Sequence, residues 1–263
     1  MSFARYTVAR FHKRVENTRT KPCLVFCEDE RGDEVEFYLK LQGSGERAAT
    51  GLVCEIMAAQ FASDLDLPIP ESGLLEVTAE FAKTVPNPEI AQQLAQSAGW
   101  NFGARKVGSG YAAVLAGRVP PPELLHTAAE IFAFDGFIQN SDRRPTNPNL
   151  LSNGSGYVMI DHELAFDFID GMVIGWRPPW EGGNLSFLRG HIFYNVLRQT
   201  APDYNRLAGA IEALSAERIA SYVDSVPAEW AGGQDAAAKI LDYLLLVKTN
   251  IPATLDAIQG VLK

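Results

Sequence analysis

The sequence predicts an α+β fold of two lobes, a small antiparallel sheet with one main helix followed by a mostly helical part. Three observations support this prediction. Residues 23–28 and 34–41 alternate apolar and polar side chains on either side of a short charged turn, which is typical of a β-hairpin. Residues 47–64 form a nearly uncharged run that is long enough for a buried helix. From residue 123 onward, apolar residues recur at helical spacing.

The predicted hairpin separates an apolar face from a polar face. Because successive side chains of a strand point to opposite sides, Val35, Phe37 and Leu39 share one face of its second strand. Lys40 lies on the opposite face and is expected to point away from the most apolar side of the sheet. Upstream of the hairpin, residues 6–15 are expected to form a strand or an extended arm.

The remainder of the N-terminal part contains one more strand, a helix and a crossover. Residues 74–77 are expected to form the third strand. Pro88 opens a helix at its first turn, where a missing N–H costs nothing. Residues 100–107 are predicted to form the strand and crossover between lobes. We therefore divide the chain into an N-lobe, residues 1–107, and a C-lobe, residues 108–263.

The C-lobe is predicted to consist of helices around one irregular segment. Its first helix follows three prolines and leads into a polar stretch at residues 139–149. Residues 166–184 are rich in Gly, Pro and Trp, and Trp176 and Trp180 are expected to serve as lid or core anchors. Further helices are predicted at residues 185–198, 203–214, 216–223 with Ser215 as the N-cap, 235–249 and 253–262.

Composition narrows the classes of function. The 263 residues are 47% hydrophobic and carry a formal net charge of -9. No apolar run is long enough to cross a bilayer, so we expect a cytoplasmic protein without membrane contact. The acidic charge makes nucleic acid an unlikely direct ligand, because such binding relies on Lys and Arg. Cys23, Cys27 and Cys54 are too irregularly spaced for a disulfide framework and are expected to be reduced, partly buried thiols.

Polar residues interrupt the apolar pattern at two neighbouring places in the C-lobe. Asp142 and Asn147 follow an apolar helix, and Asp161 follows a short strand predicted at residues 157–160. An Asp, an Asn five residues later and a second Asp on a hairpin form the spacing that phosphoryl transfer uses. Carboxylate and amide oxygens suit Mg²⁺. The sequence therefore predicts Asp142 as the catalytic residue and Asn147 and Asp161 as metal ligands.

A single carboxylate stands out in the predicted main helix. Glu55 is the only charged residue in the stretch GLVCEIMAAQFAS, so it is expected to be buried. A buried carboxylate costs several kcal/mol unless it is paired. Lys40, on the polar face of the preceding strand, is the predicted partner. The alternative is that Glu55 lies on a small exposed stripe or binds backbone groups.

Two motifs resemble those of the HipA-like kinases, in particular the stand-alone bacterial branch of that family. They are DRRPTNPNLL at residues 142–151 and IDHELAF at residues 160–166. The similarity also covers YLKL at residues 38–41, LPIPESGLLEV at residues 67–77 and PEIAQQLAQSAGWNFG at residues 88–103. The resemblance implies a protein-kinase-like fold that uses ATP and magnesium.

The resemblance also implies roles for individual residues. Lys40, fixed by Glu55, would neutralise the α and β phosphates of ATP. Asp142 would accept or orient the proton of the substrate hydroxyl. Backbone groups near Lys106 and Val107 would face the adenine, although nothing in the composition of that segment indicates this.

The sequence departs from the family pattern in two places. The family has a glycine-containing loop before the first hairpin strand, whereas this chain has VENTRTKP there. Thr18, Arg19 and Thr20 are candidates to cradle phosphates instead, and residues 43–45 are candidates to share that role. Glu163 stands where the family has glycine, which restricts the backbone and adds a third carboxylate near the metals. This substitution is expected to change metal affinity or to abolish turnover.

Four side chains of the motifs have two interpretations each. His162 is expected to pack in the core or to orient the metal-binding carboxylate. Arg143 and Arg144 either face the developing phosphate charge or form salt bridges within the loop. Asn149 is interpreted as an amide that stabilises a turn, with a metal or phosphate contact as the alternative.

The leading hypothesis is an ATP- and magnesium-dependent kinase. Its substrate is left open between a protein Ser or Thr hydroxyl, a tRNA-charging enzyme and a small molecule. Alternatives are an inactive nucleotide-binding pseudokinase that acts through protein contacts, a pure interaction protein, and an enzyme that transfers AMP instead of phosphate. A regulatory protein partner is also compatible with the sequence.

Overall fold

The computed structural model of the protein describes residues 3–16, 18, 20–28, 31–44, 47–170 and 176–263. The strands are β1 Ala4–Arg14, β2 Cys23–Glu28, β3 Glu34–Lys40, β4 Ser72–Val77, β5 Gly99–Arg105, β6 Ala112–Ala113, β7 Leu150–Ser152 and β8 Tyr157–Met159. The α-helices are α1 Ala48–Asp64, α2 Ala79–Thr84, α3 Pro88–Gln96, α4 Leu125–Phe137, α5 Tyr194–Leu197, α6 Asn205–Ala213, α7 Ala216–Ala220, α8 Gly233–Thr249 and α9 Ile251–Val261. Short 3₁₀ helices occur at Pro122–Leu124, Asp167–Asp170, Pro179–Glu181, Ser186–Gly190 and Val223–Ser225.

The first five strands form a closed barrel in the order β1-β2-β3-β5-β4. Four of the strand pairs are antiparallel, and β1 closes the barrel by pairing with β4 in parallel. The prediction of a small antiparallel sheet was therefore only partly right. The long N-terminal strand β1 supplies the closure, and hydrogen bonding on both of its edges leaves neither edge of the sheet unpaired.

The barrel strands present two different faces. Phe37 and Leu39 of β3 are fully buried inside the barrel, where they join a core cluster with Val25 and Leu75. Lys40 lies on the opposite face, as the alternation predicted, and pairs in register with Phe102 of β5. The inner face therefore stabilises the barrel, while the outer face is available to pack on α1 and to line a cavity.

Helix α1 is buried along most of its length because it lies between the barrel and the C-terminal helices. Residues 51–62 are all buried, and they include Glu55 and Gln60. Leu74 and Phe102 from the outer barrel face share a core cluster with α1, α4 and α8. The main helix of the predicted N-lobe thus packs into the larger, C-terminal core. The boundary proposed at residue 107 stays a prediction.

The C-terminal part surrounds the apolar helix α4. Strands β6, β7 and β8 form a small sheet beside it, and the polar stretch 139–149 connects α4 to β7. The predicted indole anchors are confirmed, since Trp176 and Trp180 both contact the ring of Tyr243 in α8. Ser215 caps α7 by accepting a hydrogen bond from the N–H of Arg218, as expected.

The helix predicted at residues 185–198 was wrong in its extent, and the bounds of the other predicted helices differ by up to three residues. Residues 185–198 form the short 3₁₀ helix Ser186–Gly190 and the single turn α5. The interruption lies at His191, whose extended backbone allows its side chain to bind Asp135. The final helix begins at Ile251, so that Pro252 occupies its first turn. Tertiary contacts override helix propensity at the first of these sites.

Two expectations from composition can be compared with the structure. The three cysteines are free and buried, as expected, and burial raises the pKa of the Cys27 thiol to about 12 and that of Cys54 to about 12. No helix within the described ranges combines the length and hydropathy required to cross a membrane.

Closure of the barrel requires a residue without a side chain at position 73. A Cβ atom on Gly73 would lie 2.8 Å from the carbonyl oxygen of Ala4 and 3.0 Å from the ring of Tyr6. We expect Gly73→Ala to lower the free energy of unfolding by roughly 1–3 kcal/mol, because the methyl group overpacks the β1–β4 contact. The control is Gly108→Ala, since a Cβ on Gly108 meets nothing within 4 Å. Urea unfolding of both variants measures the effect, and equal stability would show that the closure tolerates a methyl group.

Candidate functional site

A cavity of about 260 Å³ lies between the outer face of the barrel, α1 and the end of β8. Apolar side chains line most of it, and an ammonium group and carboxylates lie at one end. Its wall is formed by Val15, Thr18, Thr20, Pro22, Tyr38, Lys40, Glu55, Ala59, Ile69, Pro70, Ser72, Phe102, Ala104, Arg105, Val107, Leu151, Met159, Ile160, Asp161 and His162. An apolar cavity with a few convergent charged groups is typical of a site for a small molecule or cofactor.

Lys40 lies at the polar end of this cavity and contacts carboxylates from two other elements. Its Nζ atom donates to Glu55 Oε1 at 2.5 Å and to Asp161 Oδ1 at 2.7 Å. The predicted contact between Lys40 and Glu55 is therefore present. Burial alone would lower the pKa of Lys40, but the nearby charges of Glu55, Asp161 and Glu163 raise it above its ordinary value. Lys40 is consequently a permanently charged group in this site.

Three carboxylates converge beside this ammonium group. Glu55, Asp161 and Glu163 each offer an oxygen atom, and these atoms lie within 4.8 Å of one another. Glu163 Oε2 is 3.6 Å from Lys40 Nζ, and the Glu163 residue is 6% exposed. Three carboxylates against one ammonium leave an excess of negative charge, and hard oxygen ligands of this kind suit Mg²⁺. The residues present therefore fit a divalent cation.

Asp161 reaches this cluster through an unusual backbone conformation. It lies two residues after the end of β8 and has a φ of 62°, in the left-handed region that L-residues rarely occupy. Asp tolerates this region better than most residues, and such conformations concentrate at functional sites. The turn allows the chain to leave the strand at the position where Asp161 meets Lys40.

Asp142 lies in the polar loop between α4 and β7, where three side chains bind its carboxylate. Arg144 donates to Oδ1 at 2.9 Å, and Asn147 and Asn149 donate to Oδ2 at 2.7 Å and 3.0 Å. Asn149 thus stabilises the loop, as its preferred interpretation proposed. The amide nitrogen of Asn147 is engaged by Asp142, which leaves its amide oxygen as the atom that can face a cation. Among the described residues that line the cavity, neither Asp142 nor Asn147 occurs.

A buried polar network holds this loop to the protein core. Asp135 of α4 is fully buried, and its carboxylate accepts from Arg143 at 2.7 Å and contacts His191 Nε2 at 2.9 Å. Burial would raise the pKa of Asp135, but the charge of Arg143 and the His191 contact hold it well below its ordinary value. Arg143 also donates to the carbonyl oxygen of Asn149. Of the two interpretations of Arg143, the structure therefore favours the salt bridge within the protein.

His162 extends this network toward α1. Its Nε2 atom lies 3.0 Å from Arg143 Nη2, and its Nδ1 atom lies 3.8 Å from Glu55 Oε2. Burial would raise the pKa of Glu55, but the charge of Lys40 and the contact with His162 lower it to about 2. The ring packs edge-on against Phe134. His162 thus packs in the core, as expected, and also touches the partner of Lys40.

The loop that replaces the glycine-containing loop lies over the same cavity. Thr18 and Thr20 both contribute to its wall. Arg19 and Gly45, which were candidates for phosphate contacts, lie outside the described residues. Gly43 is placed elsewhere, since its N–H lies 3.4 Å from Ser97 Oγ. Of the candidates that the structure describes, Thr18 and Thr20 therefore line the cavity, and Gly43 does not.

The segment after β5 contributes one of its two predicted residues to the cavity. Val107 lines the wall. The backbone N–H of Lys106 donates to the carbonyl oxygen of Glu36, and its Nζ donates to Glu36 Oε2 at 2.6 Å on the surface. The side chain of Lys106 therefore points away from the cavity. A contact between this backbone and a base stays a prediction.

Arg47, at the start of α1, is a supporting residue that the sequence analysis missed. Its guanidinium donates to the carbonyl oxygens of Glu163 at 3.0 Å and Ala165 at 2.6 Å, and it lies 2.8 Å from Asp170 Oδ2. Arg47 thus fastens the segment after Asp161 to the same helix that carries Glu55. No sequence signal indicates such a contact, because backbone carbonyls are present at every position.

Asp135 was also missed, although a signal existed. It is the only charged residue of the apolar stretch IFAFDGF at the end of α4. The reasoning that singled out Glu55 in α1 applies equally here, since a carboxylate in a buried helix requires a partner. That partner, Arg143, is eight residues away in the polar loop. His191 carried no comparable signal, because it lies far along the chain in a segment predicted to be helical.

Comparisons with known proteins agree on the kind of molecule. A family model described as HipA-like kinase matches residues 8–253. The crystal structure of the Helicobacter pylori proinflammatory kinase CtkA is similar in fold, with a TM-score of 0.56 and 12% sequence identity. That similarity covers 97% of this chain and 98% of CtkA. No curated protein sequence matches this chain significantly.

The Arg47 contacts predict a large effect on stability. Arg47→Met should lower the free energy of unfolding by roughly 1–3 kcal/mol or more, because buried carbonyl groups lose their donor. Amide hydrogen exchange in residues 163–170 should accelerate. The control is Arg10→Met, since Arg10 and Glu34 form an exposed pair whose side chains are 54% and 53% accessible. Such pairs contribute about 0–1 kcal/mol. Equal losses in the two variants would contradict the role assigned to Arg47.

The environment of Glu55 predicts how stability depends on pH. The pKa of Glu55 is about 2 in the folded protein against an ordinary 4.5, so folding favours the carboxylate. Its stabilisation is complete above pH 4.5 and is lost as the pH falls toward 2. In Glu55→Gln we expect the loss over this range to be smaller by roughly 1–3 kcal/mol. Urea titrations at stepwise pH test this, and identical pH profiles would exclude the ion pair as a source of stability.

Proposed function

This chain belongs to the HipA-like kinase family, and we propose that it is an ATP- and magnesium-dependent kinase that transfers phosphate to a hydroxyl group. The observation that carries this proposal is the position of Lys40. Its ammonium group contacts Glu55 of α1 and Asp161 after β8 at one end of an apolar cavity. A cation held between a helix and a metal-binding loop is suited to bind a polyphosphate.

The cavity itself accommodates the nucleoside part of ATP in this proposal. Tyr38, Phe102 and Met159 give it apolar walls, and Val107 lies in the segment that leaves β5. The nucleotide would enter with its phosphates toward Lys40. Thr18 and Thr20, which also line the cavity, would supply hydroxyl groups in place of the glycine-containing loop found in the family.

The carboxylates beside Lys40 would hold the metal. We assign Asp161 and the amide oxygen of Asn147 as ligands, and Glu163 adds a further carboxylate. A divalent ion bound there would neutralise charge on the transferred phosphate. The protein contributes by keeping these oxygens in place, since Arg47 and Arg143 bind the backbone on both sides of Asp161.

Asp142 is the proposed catalytic residue. It would orient the acceptor hydroxyl and take its proton, which requires one carboxylate oxygen to become free of its present partners. Oδ1 is the oxygen more easily freed, because the half-exposed Arg144 donates to it, whereas both Asn147 and Asn149 donate to Oδ2. The free, buried cysteines suit a reducing compartment such as the cytoplasm.

A second function, an inactive nucleotide-binding scaffold, is favoured by one observation. Glu163 replaces the expected glycine, and its carboxylate lies within 3.6 Å of Lys40. This contact competes with phosphate for the ammonium group and adds negative charge where phosphates would bind. Such a protein would bind the magnesium–nucleotide complex but would not turn it over.

One experiment tests both functions. The purified chain is incubated with magnesium and with ATP labelled in either the α or the γ phosphate, and ADP, pyrophosphate and labelled protein are measured. We expect ADP and γ-labelled protein from the wild type, and a loss of at least about 100-fold in Asp161→Asn and Asp142→Asn, because each removes a charge used in transfer. Asp203→Asn, on an exposed loop, is the control.

The possible outcomes separate the hypotheses. Thermal stabilisation by magnesium and a non-hydrolysable ATP analogue without any transfer would favour the scaffold, since a ligand that binds only the folded state raises stability. Pyrophosphate together with α-labelled protein would indicate AMP transfer. Wild-type rates in the Asp142 and Asp161 variants, or the absence of any nucleotide binding, would overturn the kinase proposal.

A further inference from the structure

His162 lies between two buried charged groups that belong to different parts of the site. On one side is Arg143, which lies in the same polar loop as Asp142 and binds Asp135 of α4. On the other side is Glu55, the partner of Lys40 on α1. The His162 residue is 1% exposed, so water does not replace either contact. A continuous polar chain therefore runs from α4 to the ammonium group.

The chemistry of these groups defines the tautomer of His162. A guanidinium can only donate hydrogen bonds, so a ring nitrogen 3.0 Å from Arg143 Nη2 must accept. Nε2 consequently carries no proton, and the neutral ring has its proton on Nδ1. Nδ1 is the atom that faces Glu55 Oε2, at 3.8 Å. The positive end of the N–H dipole is thus directed at the carboxylate, at a distance longer than a direct hydrogen bond.

We infer that His162, as its Nδ1–H tautomer, is a positioning residue that couples the loop of Asp142 to the Glu55–Lys40 pair. The inference rests on the proposed function, in which Lys40 binds the phosphates of ATP and Asp142 is the catalytic residue. A displacement of Arg143 changes the support of His162, which changes the field at Glu55 and the position of Lys40. The ammonium group of Lys40 is then positioned to bind phosphate only when the loop of Asp142 is also in place.

The protein offers a closely matched control residue. His191 is also buried, it also contacts the Asp135–Arg143 pair, and its ring also packs edge-on against a phenylalanine of α4. His162 packs against Phe134 in the same manner. The difference is that only His162 of these two has a contact with Glu55 among the described interactions. Replacement of either histidine removes a buried ring from the network, but only the His162 replacement removes the side chain that contacts Glu55.

The first test is the tautomer, which requires no nucleotide. Nitrogen-15 chemical shifts and long-range couplings of the four histidines, with His162→Gln used to assign the signal, report which ring nitrogen carries the proton. We expect a neutral ring with the proton on Nδ1. A proton on Nε2, or on both nitrogens, at neutral pH would overturn the inference whether or not the protein is an active kinase.

The second test separates positioning from stability. Affinities for magnesium–AMP-PNP and for adenosine are measured by calorimetry in the wild type, His162→Leu and His191→Leu. We expect His162→Leu to weaken AMP-PNP binding by about tenfold or more and to leave adenosine binding unchanged, because the damage is confined to the phosphate end. His191→Leu should lower Tm to a similar extent and weaken AMP-PNP binding less than His162→Leu does, because it leaves the contact between His162 and Glu55 in place.

The other results of the affinity measurements also support or overturn the inference. Unchanged AMP-PNP affinity in His162→Leu would overturn the inference, and so would equal weakening in both variants. His162→Asn keeps a donor near the position of Nδ1, and partial recovery of AMP-PNP affinity in it would support the role of the N–H. If the wild type does not bind AMP-PNP, the proposed function fails, and the tautomer measurement still decides whether the link to Glu55 exists.

Discussion

The buried ammonium group of Lys40 is the interaction on which the rest of the site depends. It joins β3 of the barrel to Glu55 of α1 and to Asp161 after β8, three places far apart along the chain. Each of these charges would cost several kcal/mol to bury alone, and their mutual attraction offsets that cost. The position of α1 against the barrel is therefore set by charge pairing as well as by apolar packing. The same pairing creates the polar end of the cavity.

Near Lys40, buried arginines donate hydrogen bonds to backbone carbonyl groups that regular secondary structure would otherwise satisfy. The loops that carry Asp142 and Asp161 have few ladder hydrogen bonds, so their carbonyl groups need other donors. Arg143 supplies donors to the carbonyls of Asn149 and Ile160. Arg47 supplies them to the segment after Asp161. A guanidinium has five donors in a rigid plane, which allows one arginine to bind several loop segments at once.

The two departures from the family pattern gain a physical meaning from these contacts. Thr18 and Thr20 line the cavity where a glycine-rich backbone is expected, so hydroxyl groups replace amide groups at that wall. Glu163 contributes a carboxylate beside Lys40 and strengthens the demand for a cation. Of the two changes, Glu163 is the one that alters the charged group around Lys40.

The linear order of residues was enough to locate much of this site. Alternation in β3 placed Lys40 on the outer face, and the single carboxylate in an apolar helix identified Glu55 as its partner. The spacing of Asp142, Asn147 and Asp161 pointed to two loops, of which the one with Asp161 contributes to the cavity wall. These features are local: each depends on strand or helix periodicity and on the cost of burying an unpaired charge.

Other features arise from contacts that no local pattern encodes. The parallel pairing of β1 with β4 closes the barrel across about 70 residues, and no periodicity distinguishes it from an extended arm. The helix expected at residues 185–198 is interrupted because His191 binds Asp135 on α4. Arg47 binds backbone carbonyls, which every residue has. These contacts join residues that are far apart in the sequence, so they form only when the whole chain is packed.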